Sequence, residues 1–289
     1  MICILSLTTS LLIFAQSEDV PTPAKETPAE SQQEESIDPA EALAKVKAAI
    51  KSDSEVIILD AIDVCGAVKD KKVISELYKL LKHKSEEIRF ATLTALRFND
   101  HPEALKRLLS FGKDKRIKND DKYHEAYIYA LGQKADKKTA KIIKDDLVLV
   151  TSAAKEVLAA KIFALGRVRQ VDSIETLLQF CQSGTRNGRR RGGTPRMRIE
   201  VQTSLAILTG VELGNQVLDW TNWWSDNKRG FKISKTEGTI SNPKLQAKWQ
   251  ALWLSEEQKS QAKKEQKEKR SKKRKDDGKD EEGSSSTDF

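Results

Sequence analysis

Between Pro39 and Leu254 apolar residues recur at i, i+3, i+4 and i+7, the spacing of a helix with one buried face. Five segments open on polar or charged residues, pass through an apolar helix and close on a short signature. They are Ser54–Asp70, Ser85–Asp100, Asp121–Asp136, Ala153–Arg169 and Arg196–Leu213. Aligned on Cys65, Leu96, Leu131, Leu165 and Leu208, they recur at intervals of 31, 35, 34 and 43 residues. A second apolar helix follows each of the first four, at Val73–His83, Pro102–Gly112, Lys138–Val148 and Ser173–Ser183. In the last of these Ile174, Leu177, Leu178 and Cys181 share one face. The period predicts an all-α fold, an α-solenoid of about five helix pairs over residues 38–230. An ordinary helical bundle is the alternative. No strand pattern competes: the run Val56–Val64 passes for a strand on composition, but its repeat partner Arg89–Arg97 does not. Ala-Leu-Gly recurs at Ala130–Gly132 and Ala164–Gly166, where glycine is expected to supply a left-handed helix end. Pro39 and Pro102 fall at helix starts, where a missing N–H costs nothing.

All five tryptophans lie beyond the fourth repeat. Trp220, Trp223 and Trp224 share one helical face, and so do Trp249 and Trp253. A solenoid exposes its last apolar face unless something covers it. The expectation is a structural cap: the Trp220–Trp224 face docks on the fifth repeat, and a helix over Leu245–Leu254, within a capping segment 231–256, covers it. An aromatic ligand cage or a base-stacking platform is the other reading.

Helix pairs of this length, with a charged lead-in, an Ala-Leu-Gly close and a second apolar helix, resemble HEAT repeats from about Ala40 to Asn227. The ending, Leu208-Thr209-Gly210 followed by Trp220, Trp223, Trp224 and Asn227, resembles the terminal cap of exported bacterial HEAT-repeat proteins. The resemblance implies an armadillo-like scaffold that binds peptides or proteins.

Charge refines this picture. The chain carries 33% charged residues and a formal charge of +8. Gly184–Arg198 holds six arginines and no acid, and Ala262–Lys275 nets +7, so the rest of the chain nets −5. The arginine segment is also the insertion that lengthens the last repeat interval. Its Arg186, Arg189, Arg190, Arg191, Arg196 and Arg198 are a candidate contact for an anionic partner, because guanidinium groups grip carboxylate or phosphate in pairs. A solvated inter-helix loop is the bland alternative. The basic tail, part of a charged stretch 257–289, either solubilises the chain or touches an anionic polymer or membrane surface. Both ends are too polar to offset the entropy of ordering and are expected to be disordered.

The first residues read as a routing signal. Met1–Gln16 is apolar and uncharged in its side chains, about the length of a signal-peptide core and shorter than a membrane helix. Ala15 and Ser17 place small residues where cleavage after Ser17 needs them, so 1–17 is expected to be removed and the protein exported, periplasmic or secreted. An uncleaved anchor is the alternative. Residues 18–37 form an acidic linker rich in Pro, Glu and Ser. Cys65 and Cys181 fall in different repeats and are expected to be separate buried thiols.

No catalytic constellation is present. His83, His101 and His124 are scattered, no HExxH, GxSxG or phosphate-binding glycine loop occurs, and no metal or cofactor is indicated. A non-catalytic protein-binding scaffold leads. A nucleic-acid binder follows if the first segment is not a signal, and a HEAT-like enzyme is third.

Overall fold

The computed structural model describes residues 37–145, 147, 154–186 and 198–277. The expected signal and all but the last residue of the expected linker lie outside these residues. Every regular element among them is helical: α1 (Pro39–Ser52), α2 (Glu55–Cys65), α3 (Lys71–Leu80), α4 (Glu86–Phe98), α5 (Pro102–Phe111), α6 (Lys115–Asn119), α7 (Asp121–Lys134), α8 (Ala140–Ile143), α9 (Lys155–Arg167), α10 (Val171–Arg186), α11 (Ile199–Thr209), α12 (Val217–Asn227), α13 (Pro243–Trp253) and α14 (Glu256–Asp277).

The signature-bearing helices α2, α4, α7, α9 and α11 pack on one another in succession and form a first row. Behind them stand the second helices. Of these, α1 packs on α2 and α3, α3 on α5, and α10 on α12. The result is a solenoid of five pairs with one more helix, α1, ahead of the first signature. Asp38 starts α1 by accepting the N–H groups of Ala40 and Glu41 at 2.9 and 3.2 Å. The third pair departs from expectation. Its second helix is a 3-10 turn at Lys137–Thr139 followed by the single turn α8, and α6 is a one-turn addition that buries Ile117. The apolar interior forms two adjoining clusters. One joins α1, α2 and α3 to Ile88; the other runs from Ile74 and α4 through α13.

The glycine of the Ala-Leu-Gly signature has a different role from the one expected. Gly132 and Gly166 lie inside α7 and α9, and the described glycines with positive φ are Gly210 and Gly214. What glycine allows is close approach of helices. A Cβ on Gly132 would stand 2.8 Å from Ala164 Cβ, and one on Gly166 would stand 2.8 Å from Ser204 Cβ. Gly66 faces Ala95 in the same way. Successive first-row helices therefore touch through small residues. Polar ties add to this. Buried Asn99 donates to the Gly66 and Val68 carbonyls at 2.8 and 3.0 Å, and Ser204 donates to the Ile162 carbonyl at 3.0 Å.

Cys65 and Cys181 are free thiols; Cys65 is buried as expected, whereas Cys181 is only partly buried. Burial raises both above their ordinary range, Cys181 to about 12. In a Cys3→Ser background, Cys65 should not react with a thiol reagent at pH 8 in the native state, Cys181 should react slowly because its thiol stays protonated, and both should react readily in denaturant. Rapid native labelling of Cys65 would contradict its burial.

Candidate functional site

The solenoid uses its own C-terminal segment to cover much of the first row. Beyond α12 the chain turns back, and Phe231 packs edge-on against Trp223 and Trp224, with centroids 5.7 and 5.5 Å apart. Arg169 donates from Nε to the Ser234 carbonyl at 2.6 Å. The Gly238 N–H reaches the Ile207 carbonyl at 2.9 Å, where a Cβ would lie 2.6 Å from the Ala206 carbonyl oxygen. Asn242 and Pro243 then start α13, with the Asn242 side chain accepting the Lys244 and Leu245 N–H groups. The helix runs back over α9 and α7. Trp249 meets Phe163 edge-on at 6.1 Å, and Trp253 meets Tyr129 at 5.8 Å. Beyond Tyr129, Arg97 of α4 donates to the Leu252 carbonyl. Residues 231–254 thus form a strap from the fifth repeat to the second.

The tryptophans consequently divide into two groups. Trp220 and Trp224 are buried at the end of the solenoid, and Trp220 Nε1 donates to the Gly214 carbonyl at 3.0 Å. Trp223 is partly buried and contacts both. The helix expected to cover this face reaches it only through Leu245, which shares a small cleft with Trp220, Leu213 and Ile240. Trp249 and Trp253 pack instead along the first row. The reason is local: the end is already closed by Trp220, Trp224, Leu213 and Ile240, whereas Phe163 and Tyr129 offer aromatic faces that need a partner.

Cations line the floor beneath the strap. Arg167 and Arg97 flank Trp253, with guanidinium carbons 4.8 and 5.9 Å from its ring centre. Glu237 on the strap accepts Trp249 Nε1 at 3.0 Å and faces Arg167 Nε at 3.3 Å. Burial draws Arg97 down to about 10 and lowers Arg167 as well. Lys134, donating to the Asn99 carbonyl, is drawn by burial to about 8.

At α2 the cover stops. Val56, Ile57 and Val64 are 77%, 50% and 40% exposed. Between α2 and α4 runs an open groove of about 510 Å3, floored by Leu59, Ile62, Ala91 and Phe98 and closed at one end by Ser255–Glu257. Its sequence signal was available. Eight of the eleven residues of α2 are apolar, more than one buried face can absorb.

The expected arginine site is only partly in view. Arg189, Arg190, Arg191 and Arg196 lie outside the described residues, and Arg186 ends α10. Arg198 precedes α11 and is held by Glu200 at 3.2 Å through both Nε and Nη2, so its charge is engaged within the chain. Burial opposes ionisation of Glu200, yet the hydrogen bond from Arg198 holds its carboxyl below the ordinary range. The basic tail is helical through Asp277, as α14. Ser255 and Gln258 start it reciprocally: the Gln258 N–H donates to Ser255 Oγ at 3.2 Å, and the Ser255 N–H donates to Gln258 Oε1 at 2.9 Å. Among the described residues no group of His, Cys, Asp or Glu could hold a metal ion.

Residues 43–119 match the family model for HEAT repeats. No curated protein matches the chain.

Proposed function

We propose that this HEAT-repeat protein is an exported, non-catalytic scaffold that receives a partner protein on the first-row face between α2 and α4. HEAT repeats are generally protein-interaction scaffolds. The observation that carries the reading is the open, apolar-floored groove between α2 and α4; Val56, Ile57 and Val64 leave further apolar surface exposed on other sides of α2. An exposed apolar cleft of this kind marks an interaction site. The neighbouring stretch of the same face already holds a helix, α13, through Trp249 and Trp253. The arginine segment Arg186–Arg198 is a second contact in this reading, for an acidic part of the partner. Export rests on the uncharged apolar run Met1–Gln16 and the small residues Ala15 and Ser17. N-terminal sequencing of protein from its native host should find Met1–Ser17 removed, and an intact Met1 would overturn that part.

Crosslinking in the native host tests the docking face. A photoreactive residue at Thr94, exposed on the groove wall, should capture a defined protein adduct, and Ala91→Trp, which fills the groove, should abolish it. Adducts formed only from position 190 would move docking to the arginine segment. Adducts from neither position would sink the scaffold reading.

A further inference from the structure

The groove between α2 and α4 is acidic, in a protein whose net charge is +8. Its walls carry Asp63 on α2, Glu87 on α4, and Glu256 and Glu257 at the start of α14, and no lysine or arginine lines it. Glu256 is held by Lys259 at 2.7 Å. Among the described residues Asp63, Glu87 and Glu257 form no ion pair, although the rest of the surface is rich in them, as at Lys45–Asp60, Lys69–Asp100 and Lys144–Asp172. Three unpaired carboxylates therefore ring an apolar floor. A cleft lined by one sign of charge with low-dielectric walls concentrates its field and favours an occupant of opposite sign. The floor of Leu59, Ile62 and Phe98 requires that occupant to be apolar on one side as well.

The form of the occupant follows from the adjoining surface. Ser255, which lines the groove, follows directly on the strap, where the first row accepts an α-helix whose contacting side chains lie one turn apart, Trp249 and Trp253. We propose that the α2–α4 groove binds a basic amphipathic helix of a partner protein. Its apolar residues at i and i+3 or i+4 rest on Leu59, Ile62 and Phe98, and its flanking lysines or arginines reach Asp63, Glu87 and Glu257. An RNA or DNA strand is disfavoured at this groove, because its phosphates would meet these same carboxylates. The assignment rests on the scaffold reading above, and it adds the chemistry of the occupant.

The probe is a synthetic amphipathic helix of about 18 residues, with a leucine stripe flanked by lysines, and a matched peptide with glutamates in place of the lysines. Binding to the full chain is read by fluorescence anisotropy. The lysine peptide is expected to bind and the glutamate peptide not to. Asp63→Lys with Glu87→Lys should weaken the lysine peptide by about tenfold or more and admit the glutamate peptide. Both side chains are exposed, so thermal melting should show the double variant folded as before. Ala91→Trp should abolish binding of either peptide, and raised salt should weaken the lysine peptide. Equal binding of both peptides, still lost in Ala91→Trp, would overturn the basic occupant while leaving the groove a docking surface. Binding of neither would overturn the groove as a helix site and the scaffold reading with it. Self-association abolished by removal of residues 262–277 would show that a second copy's tail takes the groove, which overturns the partner assignment.

Discussion

Trp253→Ala is expected to lower the unfolding free energy by about 3–5 kcal/mol, the range for deleting a large buried aromatic side chain. Trp253 is 4% exposed and touches three different parts of the solenoid. Its ring packs edge-on to Tyr129 of α7, lies under Arg167 of α9 and Arg97 of α4, and meets Trp249 at 5.5 Å. Removing it opens a void that none of these can fill, since each is held by its own helix. It also strips cover from Arg97 and Arg167, whose burial depends on the strap. Urea unfolding followed by circular dichroism measures the loss. The same substitution at Trp223, which is only partly buried, should cost clearly less. A loss below about 1 kcal/mol at Trp253 would mean that the strap rests on the surface without completing the core.

Gly132→Ala is the second large effect, and its sign is the informative part. In an open helix interior this change stabilises by roughly 0.5–1 kcal/mol, because alanine restricts the unfolded chain and favours helix. Here the added methyl would lie 2.8 Å from Ala164 Cβ, 2.9 Å from Ala164 Cα and 3.0 Å from the Trp253 ring. Two of these neighbours belong to a helix backbone and its first side-chain atom, which cannot rotate away. Overpacking of this kind costs about 1–3 kcal/mol, so a net loss is expected. Ala164→Gly in the same chain removes the nearest obstacle and should restore part of the loss, giving a coupling of about 0.5–3 kcal/mol in a double-mutant cycle. Stabilisation by Gly132→Ala alone would remove close approach as the reason for the glycine.

That glycine marks the boundary between what the chain reveals locally and what it does not. The helices were legible because their apolar positions repeat with the helical period. The expectation of a helix at Pro102–Gly112 meets α5 at Pro102–Phe111, and the alignment on Cys65, Leu96, Leu131, Leu165 and Leu208 falls on five buried first-row positions. The recurrence of Gly132 and Gly166 was visible too, but whether glycine turns a chain or lets two helices touch depends on the neighbour. That neighbour is Ala164 in one case and Ser204 in the other, each more than thirty residues on. The route of α13 has the same character. The i, i+4 spacing of Trp249 and Trp253 shows that they share a face, and nothing local says whether the face meets Trp224 or Phe163. At the open end the signal lay in composition. Alpha-helix α2 is apolar on nearly every side, which is legible as a surplus, whereas Asp63 and Glu87 come together only through the packing of α2 on α4, and Glu257 joins them only through the return of the strap.

The strap also bears on how the molecule unfolds. A linear array whose units touch only their neighbours loses structure piecemeal, starting from either end. The hydrogen bond from Arg97 to the Leu252 carbonyl joins groups 155 residues apart and ties the second repeat to the segment beyond the fifth. Repeats two to five are thereby expected to open as one cooperative unit. Helices α1 and α2 lie outside that loop, in an apolar cluster that α3 and Ile88 of α4 join to the rest. Hydrogen exchange should therefore run fastest at the amino-terminal pair and slow abruptly at α4, so that the α2–α4 groove sits on the seam between a yielding wall and a fixed one.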